Sequence, residues 1–208
     1  MPTAGFKYCA LHYLNQWISR DLTFCNALAG RDTEKKLKTL ADAAAFYKIA
    51  RNLPKKYEEA EGSQRYGPVL KIIESLNPAN FQGEGLLPSI KKVRDEISGQ
   101  YGGRDVLSLT TKFLWLKMKS PIIIYDSQAR AALRAAPGEI DEYYSLWHEK
   151  FSGHEQQIRD ACASLQDVHE YTENPAIATR QYIAETAVQP WFRERVFDAY
   201  LWHLGRDG

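Results

Sequence analysis

Cysteine is scarce in this chain, with three among 208 residues at positions 9, 25 and 162. They are too few and too widely spaced for a disulfide framework, a zinc site or a four-cysteine iron–sulfur cluster, so buried thiols are their expected fate. No apolar run approaches the ~20 residues that span a bilayer. The N-terminus lacks the basic region, apolar core and small-residue cleavage site of a secretory signal, which makes the cytoplasm the expected compartment and a membrane partner unexpected. Excess charge is missing too: 27 Lys and Arg stand against 26 Asp and Glu, a formal net charge of +1. A nucleic-acid partner therefore requires a local basic face, because duplex affinity comes mainly from neutralising phosphates. Lys35-Lys36-Lys38, Lys48-Arg51-Lys55-Lys56, Lys91-Lys92-Arg94 and Lys112-Lys117-Lys119 could supply one, although each cluster taken alone reads first as a solvated helix face.

What is present is ordinary globular material, 44% hydrophobic and 25% charged, in a length that suits one well-buried domain or two small lobes sharing a core. Apolar residues recur at helical spacing from Phe6 to about Ala29, through Cys9, Tyr13, Trp17, Ile18, Leu22, Cys25 and Leu28, and Gly30 reads as a stop. His12 lies in that stretch and reads as a structural histidine. A second helix opens at Thr33-Glu34, carries Leu37, Leu40, Ala44, Tyr47 and Ile49 inward, and is expected to end before Pro54. The charged stretch 55–64 reads as a connector. The expected organisation is one helical domain over 1–208, with an N-terminal helical pair (1–54) packed on a main body (65–208).

Further helices are expected over Tyr66–Leu76, with Pro68 in the first turn, and over Pro88–Ile97. Asn77-Pro78 and the glycines of Asn80–Gly85 mark loops; without a preceding strand those glycines are no nucleotide-binding fingerprint. A helix from Gln128 to Ala135 leads to a Pro137-Gly138 turn, and an aromatic-rich helix spans Glu139–Phe151. Gly153 predicts a break before a helix from His154 to Tyr171. Asn174-Pro175 predicts another, before Ile177–Ala187 and Pro190–Leu204. Apart from Ile122–Tyr125 no strand is convincing, so the fold class is all-α.

One stretch carries chemistry. Thr110-Thr111-Lys112-Phe113-Leu114-Trp115-Leu116-Lys117 reads as a helix opening in which Ser108, Thr110 or Thr111 caps free amides. Lys112 would then sit in or near the first turn, where the helix dipole disfavours a cation. After a short turn, Pro121-Ile122-Ile123-Ile124-Tyr125 is an apolar extended segment, and Asp126 or Ser127 is placed to cap the next helix. A lysine whose ionisation a helix start and apolar neighbours would weaken, and a carboxylate fourteen positions on (126 − 112), form a candidate nucleophile and charge-stabilising pair. A salt bridge with Asp126 as a cap is the structural alternative.

That arrangement resembles the catalytic core of the helix-hairpin-helix DNA glycosylases, particularly their 8-oxoguanine branch. In that family a small-residue-Thr-Lys element opens one helix and a Pro-apolar-Asp element precedes the next. The matching residues here are Thr111-Lys112 and Pro121 through Asp126. The family's glycine-rich hairpin is replaced by Asp105-Val106-Leu107-Ser108-Leu109-Thr110, with glycines only at Gly102 and Gly103. The resemblance implies a two-lobed multi-helix bundle with a cleft between lobes, Lys112 as nucleophile and Asp126 as catalytic carboxylate. It also implies DNA as partner and no cofactor. Ser108, Thr110, Thr111, Trp115, Tyr125, Trp191 and Phe192 are the candidate substrate-binding residues, with Trp202 as a further wedge. For each aromatic, core packing is the alternative.

Other chemistries find less in the sequence. His148, His154, His169 and His203 share no metal-ligand spacing, so no metal is expected. Cys9 and Cys25 have no visible activating partner, and no serine sits in a glycine-flanked strand-to-helix turn. Two functions remain. One is a DNA N-glycosylase, with or without strand-cleaving lyase activity, that removes a modified base. The other is a non-catalytic glycosylase-like module that binds nucleic acid or a protein partner, in either case with an anti-phage setting among its contexts.

Overall fold

The computed structural model describes residues 4–53 and 65–207. The connector expected at 55–64, with Lys55 and Lys56, lies outside the described residues. Among the described residues the regular structure is all helical, with no strand. It forms two compact units: Met1–Thr23 together with Tyr125–Gly208, and Phe24–Ile124. The divisions thus fall inside a helix and at Ile124, whereas the sequence suggested a seam at 55–64.

The first unit begins with α1 (Phe6–Gln16), which runs through a π-helical turn (Trp17–Asp21) into α2 (Leu22–Ala29). The periodicity predicted one helix here and gave no sign of the wider turn. Its extra residue lets Trp17, Ile18 and Asp21 all be buried. Trp17 Nε1 donates to the Tyr182 hydroxyl at 2.7 Å, and the Trp17 ring lies 4.4 Å from that of Trp191. After Tyr125 come α7 (Ser127–Leu133), α8 (Ile140–Ala163), a 3-10 stretch (Ser164–Tyr171), α9 (Arg180–Ala187) and α10 (Pro190–Asp207). The break expected at Gly153 does not form. Glycine weakens a helix by only about 1 kcal/mol relative to alanine, and packing holds the turns on both sides of it. Phe151 and His154 lie 5.5 and 6.2 Å from Phe197 of α10. α9 starts at Arg180 and not at Ile177, because the Thr179 hydroxyl accepts the Tyr182 N–H and caps the helix there.

In the second unit α3 (Thr33–Phe46) is capped by Asp32, whose carboxylate accepts the Lys35 N–H at 3.0 Å. α3 ends well before Pro54. The Ile49 N–H returns to the Ala44 carbonyl and Lys48 N–H to that of Ala45, with Lys48 in the left-handed region at φ 57°. This helix-ending turn swings Ile49 into the core. Next come α4 (Gly67–Glu74), with Pro68 in its first turn, and two short 3-10 turns. α5 (Leu86–Gln100) follows, and then α6 (Leu107–Met118). Gly85 is needed for space, since a Cβ there would lie 2.7 Å from the Asn80 carbonyl oxygen. α6 packs on α4 and α5 and is buried along nearly its whole length, as an apolar helix surrounded by others must be.

Candidate functional site

Lys112 and Asp126 fall in different units, and each is described in its own. Lys112 is the sixth residue of α6 and is 4% exposed. The helix opens at Leu107 after Val106, which offers no side-chain cap; Asp105 Oδ1 instead accepts the Leu107 N–H at 3.1 Å. This corrects the sequence reading on two counts. Ser108, Thr110 and Thr111 lie inside the helix and cap nothing at its start, and Lys112 lies in the second turn, beyond the reach of most of the dipole. Lys112 Nζ donates to Ser108 Oγ at 2.8 Å, one helical turn back, and lies 5.9 Å from the centre of the Tyr47 ring. Thr111 Oγ1 bonds back to the Leu107 carbonyl at 3.2 Å, and Thr110 is fully buried.

Asp126 holds the predicted position. It is the N-cap of α7, half-buried, with Oδ1 accepting the Gln128 N–H at 3.0 Å. The preceding Ile122, Ile123, Ile124 and Tyr125 are buried but belong to no helix or strand. Tyr125 is an anchor: its hydroxyl accepts the Gly138 N–H at 3.0 Å and its ring lies 5.0 Å from that of Tyr143. α7 is set in place by α10, since a Cβ on Gly205 would stand 1.9 Å from the Gln128 carbonyl oxygen. Only a glycine lets the two backbones meet beside the Asp126 cap.

The other aromatic candidates divide. Trp115 and Phe192 are fully buried and fill the cores of their units, which corrects their expected place at a base pocket. Trp191 is half-buried against Trp17, and Trp202 is 37% exposed with the Arg206 guanidinium 5.0 Å from its ring centre.

The sequence reading missed a buried polar cluster in the first unit. Arg195 Nη1 donates to Asp198 Oδ2 at 2.7 Å and Trp147 Nε1 donates to Asp198 Oδ1 at 2.8 Å. Burial raises the Asp198 pKa above the ordinary carboxylate range, and the Arg195 guanidinium opposes that. Tyr143, fully buried, is held well above the usual phenol range by burial first and then by the carboxylates of Asp198 and Asp126. A signal existed: Arg195 and Asp198 are opposite charges three apart on a stripe formed by Phe192, Val196, Phe197 and Leu201. The cysteines match expectation, being buried thiols; burial pushes Cys9 up to about 11 and Cys162 to about 12. Burial therefore disfavours the reactive thiolate form at both positions.

Among the described residues no three His, Cys, Asp or Glu side chains gather where a metal could bind, and no helix is long and apolar enough to cross a membrane. No known protein family, curated protein or solved structure matches the chain.

Proposed function

We propose that the chain is a DNA N-glycosylase of the two-lobed helical kind, in which Lys112 is the nucleophile and Asp126 the charge-stabilising carboxylate. The supporting observation is the buried lysine: Lys112 is 4% exposed, inside a helix buried along nearly its whole length, and its Nζ donates to Ser108. Lysine is among the side chains least often buried, and where it is, a chemical role is a common reason. In the reaction the Nζ lone pair attacks deoxyribose C1′ and the bond from C1′ to the base breaks, with the base leaving and taking up a proton. The Asp126 carboxylate stabilises positive charge that develops on the sugar. Opening of the sugar ring gives an imine between C1′ and Lys112, from which strand cleavage can follow. The target nucleotide has to be turned out of the duplex, because C1′ is otherwise occluded.

The deciding experiment is borohydride trapping of the protein on duplexes that each carry one modified base, 8-oxoguanine first. The parent protein is expected to form a covalent complex. Lys112→Gln, which keeps length and hydrogen-bonding ability, should abolish it while leaving duplex affinity largely intact. Asp126→Asn keeps a cap of similar strength and loses the charge, so base release should slow by about two orders of magnitude or more with the fold preserved.

A second reading, a helical module that binds without catalysis, is favoured by the charge arrangement. Several cations expected to face phosphate have acidic neighbours on their own helix: Lys92 with Glu96 at 3.9 Å, Arg94 with Asp95 at 2.8 Å, and Lys38 with Asp42 at 2.8 Å. The segment Asp105–Thr110 also lacks the glycines that would present backbone amides to a phosphate. Failure of the parent protein to trap on any lesion, with both variants merely less stable, would establish that reading in place of the enzyme.

A further inference from the structure

Two histidines from different helices of the first unit meet ring to ring. His12 lies on α1 and is exposed, whereas His203 lies on α10 and is 7% exposed. Their ring centres are 5.8 Å apart and the rings cross at 72°. Tyr8, one turn back on α1 and 55% exposed, closes the group, with its ring nearly parallel to that of His12 at 5.9 Å and edge-on to that of His203 at 5.4 Å. The Trp202 ring lies 5.1 Å from that of His203 on the α10 side. Charged groups approach from two further places. Glu173 acts on His12, and its backbone N–H is tied to α1 by Asn15 Oδ1 at 2.9 Å. Arg206, one turn beyond His203, keeps its guanidinium 5.0 Å from the centre of the Trp202 ring.

We propose that the His12–His203 pair is an acid-sensitive latch between α1 and α10, closed while at most one ring carries a proton and opened when both do. Apolar rings would pack this seam as well; what imidazole adds is a charge that changes between about pH 5 and 8. One added proton is tolerated, because His12 reaches solvent and Glu173 compensates it. A second is not. His203 is enclosed by Tyr8, His12 and Trp202, and two like charges on rings centred 5.8 Å apart repel across a poorly hydrated gap. The protons are therefore taken up in two separated steps that belong to the pair. Partial burial already holds His12 below the ordinary imidazole value, with Glu173 opposing. Parting the helices returns each ring to about 6.5, so the open state binds more protons than the closed one. The stability of the latch is then fully present above that pH and is lost as pH falls through the lower step. The latch does not depend on the reading of Lys112.

Two measurements on the intact protein test it. In an NMR titration of the imidazole Cε1–H signals, His203 should move in two steps, and His12→Gln should convert them to a single step at higher pH. Amide hydrogen exchange, corrected for the intrinsic rate at each pH, reads the opening. Protection across α1 should fall about tenfold or more between about pH 7 and pH 5 while that of α5 in the second unit holds. His203→Phe, which fills the same space without a charge, should keep α1 protected at the lower pH. Should that variant not fold, His12→Gln, a surface substitution, carries the comparison and should remove most of the loss. The proposal is overturned by a His203 titration that ignores His12→Gln, by α1 protection in the parent that is the same at both pH values, or by an equal loss in the parent and the variants.

Discussion

Asp198 is a carboxylate carried by α10 into an apolar core, and it is tolerable there because Arg195 and Trp147 occupy its two oxygens. Removing one partner of such a pair is far more damaging than the pair itself is stabilising, since the remaining charge keeps its desolvation penalty. Arg195→Met should therefore lower stability by about 3–5 kcal/mol at neutral pH. The pH dependence has a definite sign. The native Asp198 pKa lies above its unfolded value, so the native state binds more protons across the interval between them, and stability is lost as pH rises through it. Without Arg195 that interval extends further upward. The variant should recover part of its loss on going from about pH 7 to about pH 5, and a second change, Asp198→Asn, should remove most of that dependence. Urea denaturation of the single and double variants at both pH values measures this; an Arg195→Met loss that is flat with pH and untouched by Asp198→Asn would mean the cluster does not behave as a charge pair.

Two glycines on long helices make opposite predictions at the scale of elements. Gly153 lies exposed in mid-α8 and a Cβ there meets nothing within 4 Å, so Gly153→Ala should stabilise by about 0.5–1 kcal/mol through lower unfolded-state entropy. Gly205 on α10 touches α7, and the 1.9 Å approach of a Cβ to the Gln128 carbonyl forces two helices apart, so Gly205→Ala should destabilise by about 3 kcal/mol. Thermal unfolding of both variants tests the pair, and shifts of the same sign would contradict the packing of α10 on α7. In sequence these glycines look alike, which shows where legibility ends. Periodicity and caps are local and were readable: α4 with Pro68 in its first turn, the Asp126 cap and the all-helical class all follow from neighbours in the chain. The passage of α8 through Gly153 and the early stop of α3 depend on Phe197 and on the burial of Ile49, contacts distant in the chain or set by the fold. The site divides in the same way. Asp126 was legible because a cap is local. Tyr47 beside Lys112 was not, because the two are separated by 65 positions (112 − 47) and only the packing of α3 near α6 joins them.

For the molecule as a whole, charge decides how DNA could be held. The chain passes between its compact units within α2 and again at Ile124–Tyr125, with Lys112 before the second crossing and Asp126 directly after it. Net charge is +1, and the ion pairs Lys38–Asp42, Lys92–Glu96, Arg94–Asp95 and Arg159–Glu155 set a carboxylate beside four of the cations. Exposed pairs of this kind are weak, roughly 0–1 kcal/mol, so they add little stability, yet each places a negative charge where a phosphate would approach. A glycosylase with this surface must take its affinity from the turned-out nucleotide more than from the backbone. Duplex affinity measured by fluorescence anisotropy between about 50 and 200 mM salt should then fall with a logarithmic slope near −2 to −3, the release of counterions from two or three phosphates at about 0.9 each. Lys117, exposed in the last turn of α6, is a natural contributor, and Lys117→Gln should flatten the slope by about 0.9 while weakening binding to lesion and plain duplexes alike. A slope of about −6 or steeper would require a continuous basic face that the paired carboxylates contradict. A slope of zero would leave no phosphate contact at all, and with it no enzyme acting on DNA.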